Sequence, residues 1–311
     1  MNQTPGRPRN ERPGRAAERV LHSESGRLEA VFLPRAGMLG WSLRDRNEEV
    51  LGHPVSVAEY LRTGEPTAIA LLHPWANRLA SPEYEIAGRR VRLDLSAPNL
   101  HLKDGLPIHG LIAGSPHWKL TNHTSSCLRA RLDYGAWPEL AAGFPFPHDF
   151  VLAATLSDER LEIEAELIPT GDAPVPVAFG FHPYLRLPGL PRDRWWVELP
   201  VTSRMRLDER MLPTGVSEPV RIPPGPLGDR AFDDAFDGFA EPAEFVVSGA
   251  GRRLAVRFEE GYRFAQVYAP PGKDFISFEP MTAPINPFES ELTRLAEPGA
   301  TYRARFSIAV G

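Results

Sequence analysis

The sequence predicts an all-β protein, a large antiparallel β-sandwich with few short helices. Three observations point there. Proline is abundant, 33 of 311 residues, and spread through the chain, which works against long helices. The apolar segments are short and separated by Gly, Pro and Asp turns, as in β-proteins. Several segments alternate strictly. In "LEIEAELI", Leu161, Ile163, Ala165 and Leu167 face one way, with Glu162, Glu164 and Glu166 opposite, the pattern of a half-buried strand.

Taken in order, the strand candidates are "RLEAVFLP", "RLDLS", "WKLTNHT", "CLRARLDYG", "DFVLAATLS", "RLEIEAELIPTG", "RWWVELPVTS", "AEFVVSG", "RLAVRFEEG", "FAQVYAP", "DFISFEP" and "TYRARFSIAV". No helical stretch of comparable quality competes. A dozen strands with hairpin-length connections imply a sandwich or barrel. The "GAGRRL" stretch lacks the strand–turn–helix context of a dinucleotide site, so it reads as a hairpin turn. No Gly/Ser tract, charge block or repeat marks a linker, and a single domain over residues 21–311 is expected. Residues 1–20, "MNQTPGRPRNERPGRAAERV", are rich in Arg and Pro and nearly devoid of apolar side chains, so a disordered leader is expected there.

Composition removes several function classes. The formal net charge is -5 and no lysine-rich stripe is present, which argues against a nucleic-acid partner. The leader has no apolar h-region of a signal peptide, and no run of about 18 apolar residues suits a membrane helix. One cysteine, Cys127, excludes an internal disulfide and cannot by itself make a Cys-type zinc site. A cytoplasmic location is the expectation.

Five stretches place polar groups where plain strands or turns do not need them. "HPWANRLA" sets Asn77 and Arg78 behind Trp75, a rigid fork of donors beside an aromatic face able to stack on a sugar. A surface Arg–carboxylate pair is the alternative, and the adjoining His73 is a candidate for the same pocket. "LPIHGLI" puts His109 before a glycine inside an apolar run, either to orient a hydroxyl or as a backbone-bonded core histidine. "VAFGFHPYL" carries His182 before Pro183, which biases it to an extended backbone. The strand is expected to end there with the imidazole projecting outward between walls of Phe179, Phe181 and Tyr184, unless it is simply packed. "AFDDAFDGF" holds Asp233 and Asp234, only one of which can line a given pocket, or else forms a solvated turn. "FISFEPMTAPINPF" ends a strand on Glu279, again before proline, and a carboxylate beside Phe278 and Pro280 needs a partner or a task. No ligand spacing suits a metal and no G-x-S-x-G elbow suits a nucleophilic serine.

The order "PWANRL", "IHGL", "FGFHPYL", "DDAF", "FEPMTAP" resembles the aldose 1-epimerase (mutarotase) family, with its galactose mutarotase-like sandwich fold, across residues 25–310. "GFPFPHDF" and "AQVYAP" agree with it. The resemblance implies a fold and a set of roles. Glu279 matches the general base for the anomeric hydroxyl and His182 the general acid for the ring oxygen. His109 and Arg78 match residues that bind and polarise sugar oxygens, Asp233 a carboxylate that fixes hydroxyls, and Asn77 and Gln266 subsidiary contacts. Where some members have Asp-His, this chain has Asp233-Asp234, and the first is carried over. The reaction so implied interconverts α and β anomers of a free aldohexose with no cofactor and no metal. The expected partner is a small sugar, and the protein a monomer or homodimer, with "TYRARFSIAV" available as an edge strand to pair with a second copy or to close the sheet. Three rivals stand beside it. They are a hexose-6-phosphate 1-epimerase with a clamp drawn from Arg204, Arg206, Arg252 and Arg253, a non-catalytic sugar sensor, and a glycoside hydrolase using Asp233 with Glu279.

Overall fold

The computed structural model describes residues 18–311. Residues 1–17, most of the expected leader, lie outside the described residues. The first strand, Arg19–His22, begins two residues ahead of the boundary expected at residue 21.

Two large antiparallel sheets dominate, one of eleven strands and one of nine. In the larger sheet the neighbours Ile69–Leu72, Gly180–Leu185, Ile276–Met281, Phe264–Ala269 and Phe232–Gly238 lie side by side in that order. The smaller sheet includes His148–Leu156, Arg160–Pro169, Tyr302–Val310, Arg252–Glu260 and Ala243–Gly249 as successive neighbours. The strict alternation read in "LEIEAELI" is realised: Leu161, Ile163, Ala165 and Leu167 are all fully buried. On the opposite face Glu166 accepts from Arg129 at 2.6 Å and from Arg303 at 3.2 Å.

The inward faces of the two sheets meet through aromatic contacts. Phe181 packs on Phe306 at 4.9 Å between ring centroids, Phe179 on Phe150 at 5.0 Å and Phe278 on Phe245 at 5.8 Å. Each such ring contributes about 1.5–3 kcal/mol by burial, so period-two patterning across many strands holds the sandwich together. Among the described residues the helices are short. Val57–Thr63 is capped by the Ser56 hydroxyl and stopped by Gly64 at φ +66°. None is long and apolar enough to cross a membrane.

Two expectations about strand ends are corrected. Tyr302–Val310 is not an edge strand, because Arg160–Pro169 and Arg252–Glu260 pair with it on either side. It closes the interior of its sheet and offers no free edge. His182 and Glu279 likewise stand inside their strands, Gly180–Leu185 and Ile276–Met281, which continue past Pro183 and Pro280. Pairing between these two strands holds at Gly180–Met281 and Tyr184–Ser277, but no paired position lies between. The prolines are accommodated in that gap.

His73 is also corrected: it belongs to the core and not to the pocket. It is fully buried beside His148, with the two Nε2 atoms 2.8 Å apart, and Phe150, Tyr134 and Phe144 surround it. His148 Nδ1 lies 2.6 Å from the Phe146 carbonyl and must donate to it, so His148 Nε2 accepts from His73. Both rings are neutral, because burial pushes His73 well down and His148 down to about 4. An unfolded histidine takes its proton near 6.5, which these native rings refuse. Their stabilisation is therefore complete above about pH 6.5 and is lost as the pH falls toward 4, at about 1.4 kcal/mol per pH unit for each ring. Urea titrations from pH 7 to pH 5 should show a shallower loss in the His73→Leu/His148→Leu protein than in wild type. Equal slopes would contradict this account.

Candidate active site

Successive strands of the larger sheet bring the site together. The alternation of Gly180–Leu185 sends Phe181, Pro183 and Leu185 to the core and His182 and Tyr184 to the outer face. Phe179 also lies in the core, so of the three expected walls only Tyr184 flanks the imidazole, stacked at 4.4 Å and 18°. On the next strand Ser277 and Glu279 share that face, and on the third Gln266 and Tyr268 stand directly opposite them. On the fourth, Asp233 is paired with Tyr268. A cavity over this face is lined by Asn77, Arg78, His109, His182, Asp233, Gln266 and Glu279, together with His101, Lys103, Glu65, Tyr184 and Tyr268.

At its floor His182 Nε2 lies 3.1 Å from Glu279 Oε1, and both side chains are buried. Burial pushes the Glu279 carboxyl well up, with Asp233 nearby adding to the rise, and pushes the imidazole down to about 3. Both shifts favour neutral groups. The pair therefore carries one proton between carboxyl and Nε2 and titrates as a unit. Glu279 Oε2 has no hydrogen-bond partner.

The wall opposite is built from two loops clasped together. The His109 N–H donates to the Asn77 carbonyl at 3.0 Å, Leu79 N–H to Pro107 at 2.9 Å and Leu111 N–H to His73 at 2.8 Å. Both Asn77 and His109 hold left-handed backbone, at φ +58° and +62°. Asn tolerates this conformation locally, whereas for His109 it is strain held by the clasp. Asn77 Oδ1 accepts from the Arg78 N–H at 2.9 Å and lies 3.4 Å from Arg78 Nη1, so its oxygen is used to fasten Arg78. Asn286 fixes the same loop, accepting from the Ala80 N–H at 3.0 Å and donating its own N–H to Arg78. The sequence reading missed Asn286.

The buried polar atoms Arg78 Nε, His109 Nδ1, His101 Nε2 and Gln266 Oε1 have no protein partner, and their residues all line this cavity. Burial keeps His109 well down and His101 down, so both imidazoles are neutral and each can donate and accept. Gln266 Nε2 donates to Asp233 Oδ1 at 2.6 Å, which leaves its oxygen free. Asp233 stands at the rim with much of its surface open. The partial burial still raises its carboxyl, opposed by the Gln266 hydrogen bond. Asp234 points to the other face and pairs with Arg204 at 3.2 Å.

Trp75, expected near the ligand, is fully buried edge-on to Phe288 and lines no part of the cavity. His101, not singled out from the sequence, arrives through the hairpin His101–Lys103/Leu106–Ile108. Its turn, Asp104-Gly105, has positive φ at both positions, and that Asp-Gly signal was available. The ring packs where a Cβ on Gly64 would lie 1.9 Å away. Among the described residues no cluster of three or more His, Cys, Asp or Glu is arranged to hold a metal.

The fold and this floor describe a sandwich with a polar cavity on the outward face of its larger sheet, a carboxyl and an imidazole in contact at the bottom. The family model of aldose 1-epimerase matches residues 27–309, so the chain belongs to the aldose 1-epimerase family. Solved structures agree on the fold. A galactose mutarotase-like protein from Clostridium acetobutylicum aligns with a TM-score of 0.80 at 17% identity, over 92% of this chain and 93% of its own. The Slr1438 protein of Synechocystis sp. PCC 6803 aligns at 0.75 and 22% identity, over 100% and 98%. Galactose 1-epimerase from Lactobacillus acidophilus NCFM aligns at 0.70 and 16%, over 94% and 93%. No curated protein matches the chain.

Gly110 is where the clasp is most sensitive. It has φ +77°, and a Cβ there would lie 2.1 Å from the His73 carbonyl oxygen. Gly110→Ala should lower unfolding stability by about 2 kcal/mol or more. An unchanged denaturation midpoint would show that the clasp yields freely.

Proposed function

We propose that this chain is an aldose 1-epimerase acting on a free, unphosphorylated aldohexose, with Glu279 as general base and His182 as general acid. The observation that carries the reading is the buried 3.1 Å contact between them, beneath a cavity lined by unpaired donors and acceptors. A polyhydroxylated ligand offers the many hydrogen bonds those atoms need.

Exchanging anomers requires opening a hemiacetal and closing it on the other carbonyl face. The Glu279 carboxylate takes the C1 hydroxyl proton while His182 Nε2 gives one to the ring oxygen, and the C1–O5 bond breaks. Rotation about C1–C2 presents the other face, and the same two transfers run in reverse. One group gains the proton that the other loses, so the pair always carries one. Opening leaves Glu279 protonated and His182 neutral, the distribution that burial favours. Closure takes the proton from Glu279 and returns one to His182 Nε2, which restores the carboxylate and the protonated imidazole for the next opening. Arg78, His109 and Asp233 hold the sugar oxygens, with Gln266 and Asn77 in support, and each proton transfer is worth about 10²–10⁴ in rate.

The phosphorylated rival loses its clamp. Arg204 is tied to Glu218 at 2.6 Å and to Asp234, Arg252 to Glu48 and Arg253 to Glu244. None of these lines the cavity, and neither does Arg206. The lining cations Arg78 and Lys103 are matched by the lining carboxylates Glu65 and Asp233, and the one-proton pair adds no net charge, a balance that disfavours a phosphate dianion. The hydrolase reading is weaker too, since the partner of Glu279 is an imidazole and that of Asp233 an amide.

Polarimetry on freshly dissolved α-glucose and α-galactose tests the proposal. Wild type should accelerate mutarotation, and Glu279→Gln should remove at least about 10²-fold of that acceleration. Faster turnover of glucose 6-phosphate would favour the phosphate branch, and binding without turnover a sensor. The pH profile is a second test. A second proton reaches the pair only when His182 titrates, held down to about 3, and the last proton leaves only above the ordinary carboxylate range. kcat/KM should therefore not fall as the pH is lowered from 7 to 5. An acid limb centred near 6.5, where a free histidine titrates, would contradict the shared-proton floor.

A further inference from the structure

We propose that Ser277 is the positioning residue that fixes the tautomer of His182, holding Nδ1 protonated so that Nε2 alone exchanges protons in the cavity. The proposal rests on the catalytic reading of His182 given above. Its geometry stands independently of any activity.

Ser277 is fully buried on the strand beside His182. Its Oγ lies 2.9 Å from the Pro183 carbonyl oxygen and 3.0 Å from His182 Nδ1. A hydroxyl has one proton, and a carbonyl oxygen can only accept. The Ser277 proton therefore goes to Pro183, and toward the imidazole the same oxygen presents a lone pair. Nδ1 must donate, so the Nδ1–H tautomer is selected and Nε2 is left as the nitrogen that accepts. Nε2 is the atom that meets Glu279 at 3.1 Å and Tyr184 Oη at 3.4 Å.

The catalytic cycle requires this choice. After His182 gives its Nε2 proton to the ring oxygen, it must take one back at the same atom when the ring closes. A neutral ring protonated at Nε2 has no lone pair there and cannot do so. A neighbouring group that fixes tautomer and ring orientation is the arrangement by which working histidines are commonly held. Here the group is a neutral hydroxyl, so the imidazole is oriented without a second buried carboxylate. An acidic partner at Nδ1 would raise the affinity of the ring for its proton, against the burial that keeps it low. Ser277 supplies geometry with little electrostatic cost.

The test reads the tautomer directly. In long-range ¹H–¹⁵N spectra of ligand-free protein, His182 resonances are identified by their loss in His182→Asn. Wild type should show Nδ1 with the shift of a protonated ring nitrogen. Ser277→Ala, and the near-isosteric Ser277→Cys should the alanine variant fail to fold, should lose that selection. Ser277→Thr, which keeps the hydroxyl, should retain it. In the mutarotation assay the first two should lower kcat by about 10- to 100-fold, with KM little changed. An unprotonated Nδ1 in wild type, or a tautomer unchanged in Ser277→Ala and Ser277→Cys, would overturn the proposal whether or not a sugar is turned over. Absence of sugar turnover in wild type with the Nδ1–H signature present would count against the enzymatic reading alone.

Discussion

A carboxyl group and an imidazole share one proton at the bottom of this cavity, where water is nearly excluded. Burying either as a lone ion would cost several kcal/mol, and burying both as a tight ion pair recovers that only with further hydrogen bonds. The neutral form of the pair avoids most of the cost, which is why burial moves the two groups in opposite directions. A pair poised in this way gives and takes a proton with little reorganisation. Everything around it serves to keep the two side chains at contact distance while leaving one open side.

The sandwich does this by making the site part of a sheet. Four neighbouring strands present His182, Glu279, Gln266 and Asp233 at fixed spacings, and the register between Gln266 and Glu279 is direct. The opposite faces of those strands are anchored by Phe181, Phe278 and their partners across the core. The backbone that carries these side chains is thus fixed by the packed core. The wall facing it, by contrast, consists of loops, and there position is enforced by backbone hydrogen bonds and by residues in strained conformations. The clasp between the 73–79 and 106–111 segments carries Arg78 and His109 to the floor groups.

How much of this the sequence reveals depends on the scale of the signal. Alternation is local, so the strands, the outward glutamates of Arg160–Pro169 and the opposite faces of Asp233 and Asp234 are legible from the residues themselves. Pro after His182 and after Glu279 marks both positions as unusual. Which residues meet across the sheets is not local, and there the reading went astray. Trp75 and His73 look like pocket residues because they adjoin Asn77 and Arg78, but both are fully buried in the core. The rivals' arginines look free until partners distant in sequence, Glu48 for Arg252 and Asp234 for Arg204, are seen beside them. The edge-strand reading of Tyr302–Val310 fails for the same reason, since strand order is a property of the assembled sheet.

The two prolines connect these levels. Proline removes a ladder donor and is confined in most sheets to edges and bulges, yet Pro183 and Pro280 sit in adjacent interior strands. Between Gly180–Met281 and Tyr184–Ser277 the paired positions lapse, and it is within this lapse that His182 and Glu279 face each other. A continuous ladder there would tie every backbone group to its neighbour strand. The interrupted one leaves the Pro183 carbonyl within reach of the Ser277 hydroxyl, and through it the orientation of the imidazole. The same residue that breaks the sheet thus supplies the acceptor that orders the site. A His-Pro and a Glu-Pro on neighbouring strands are best understood as one device, in which pairing energy is given up at the one level where the imidazole and the carboxyl meet.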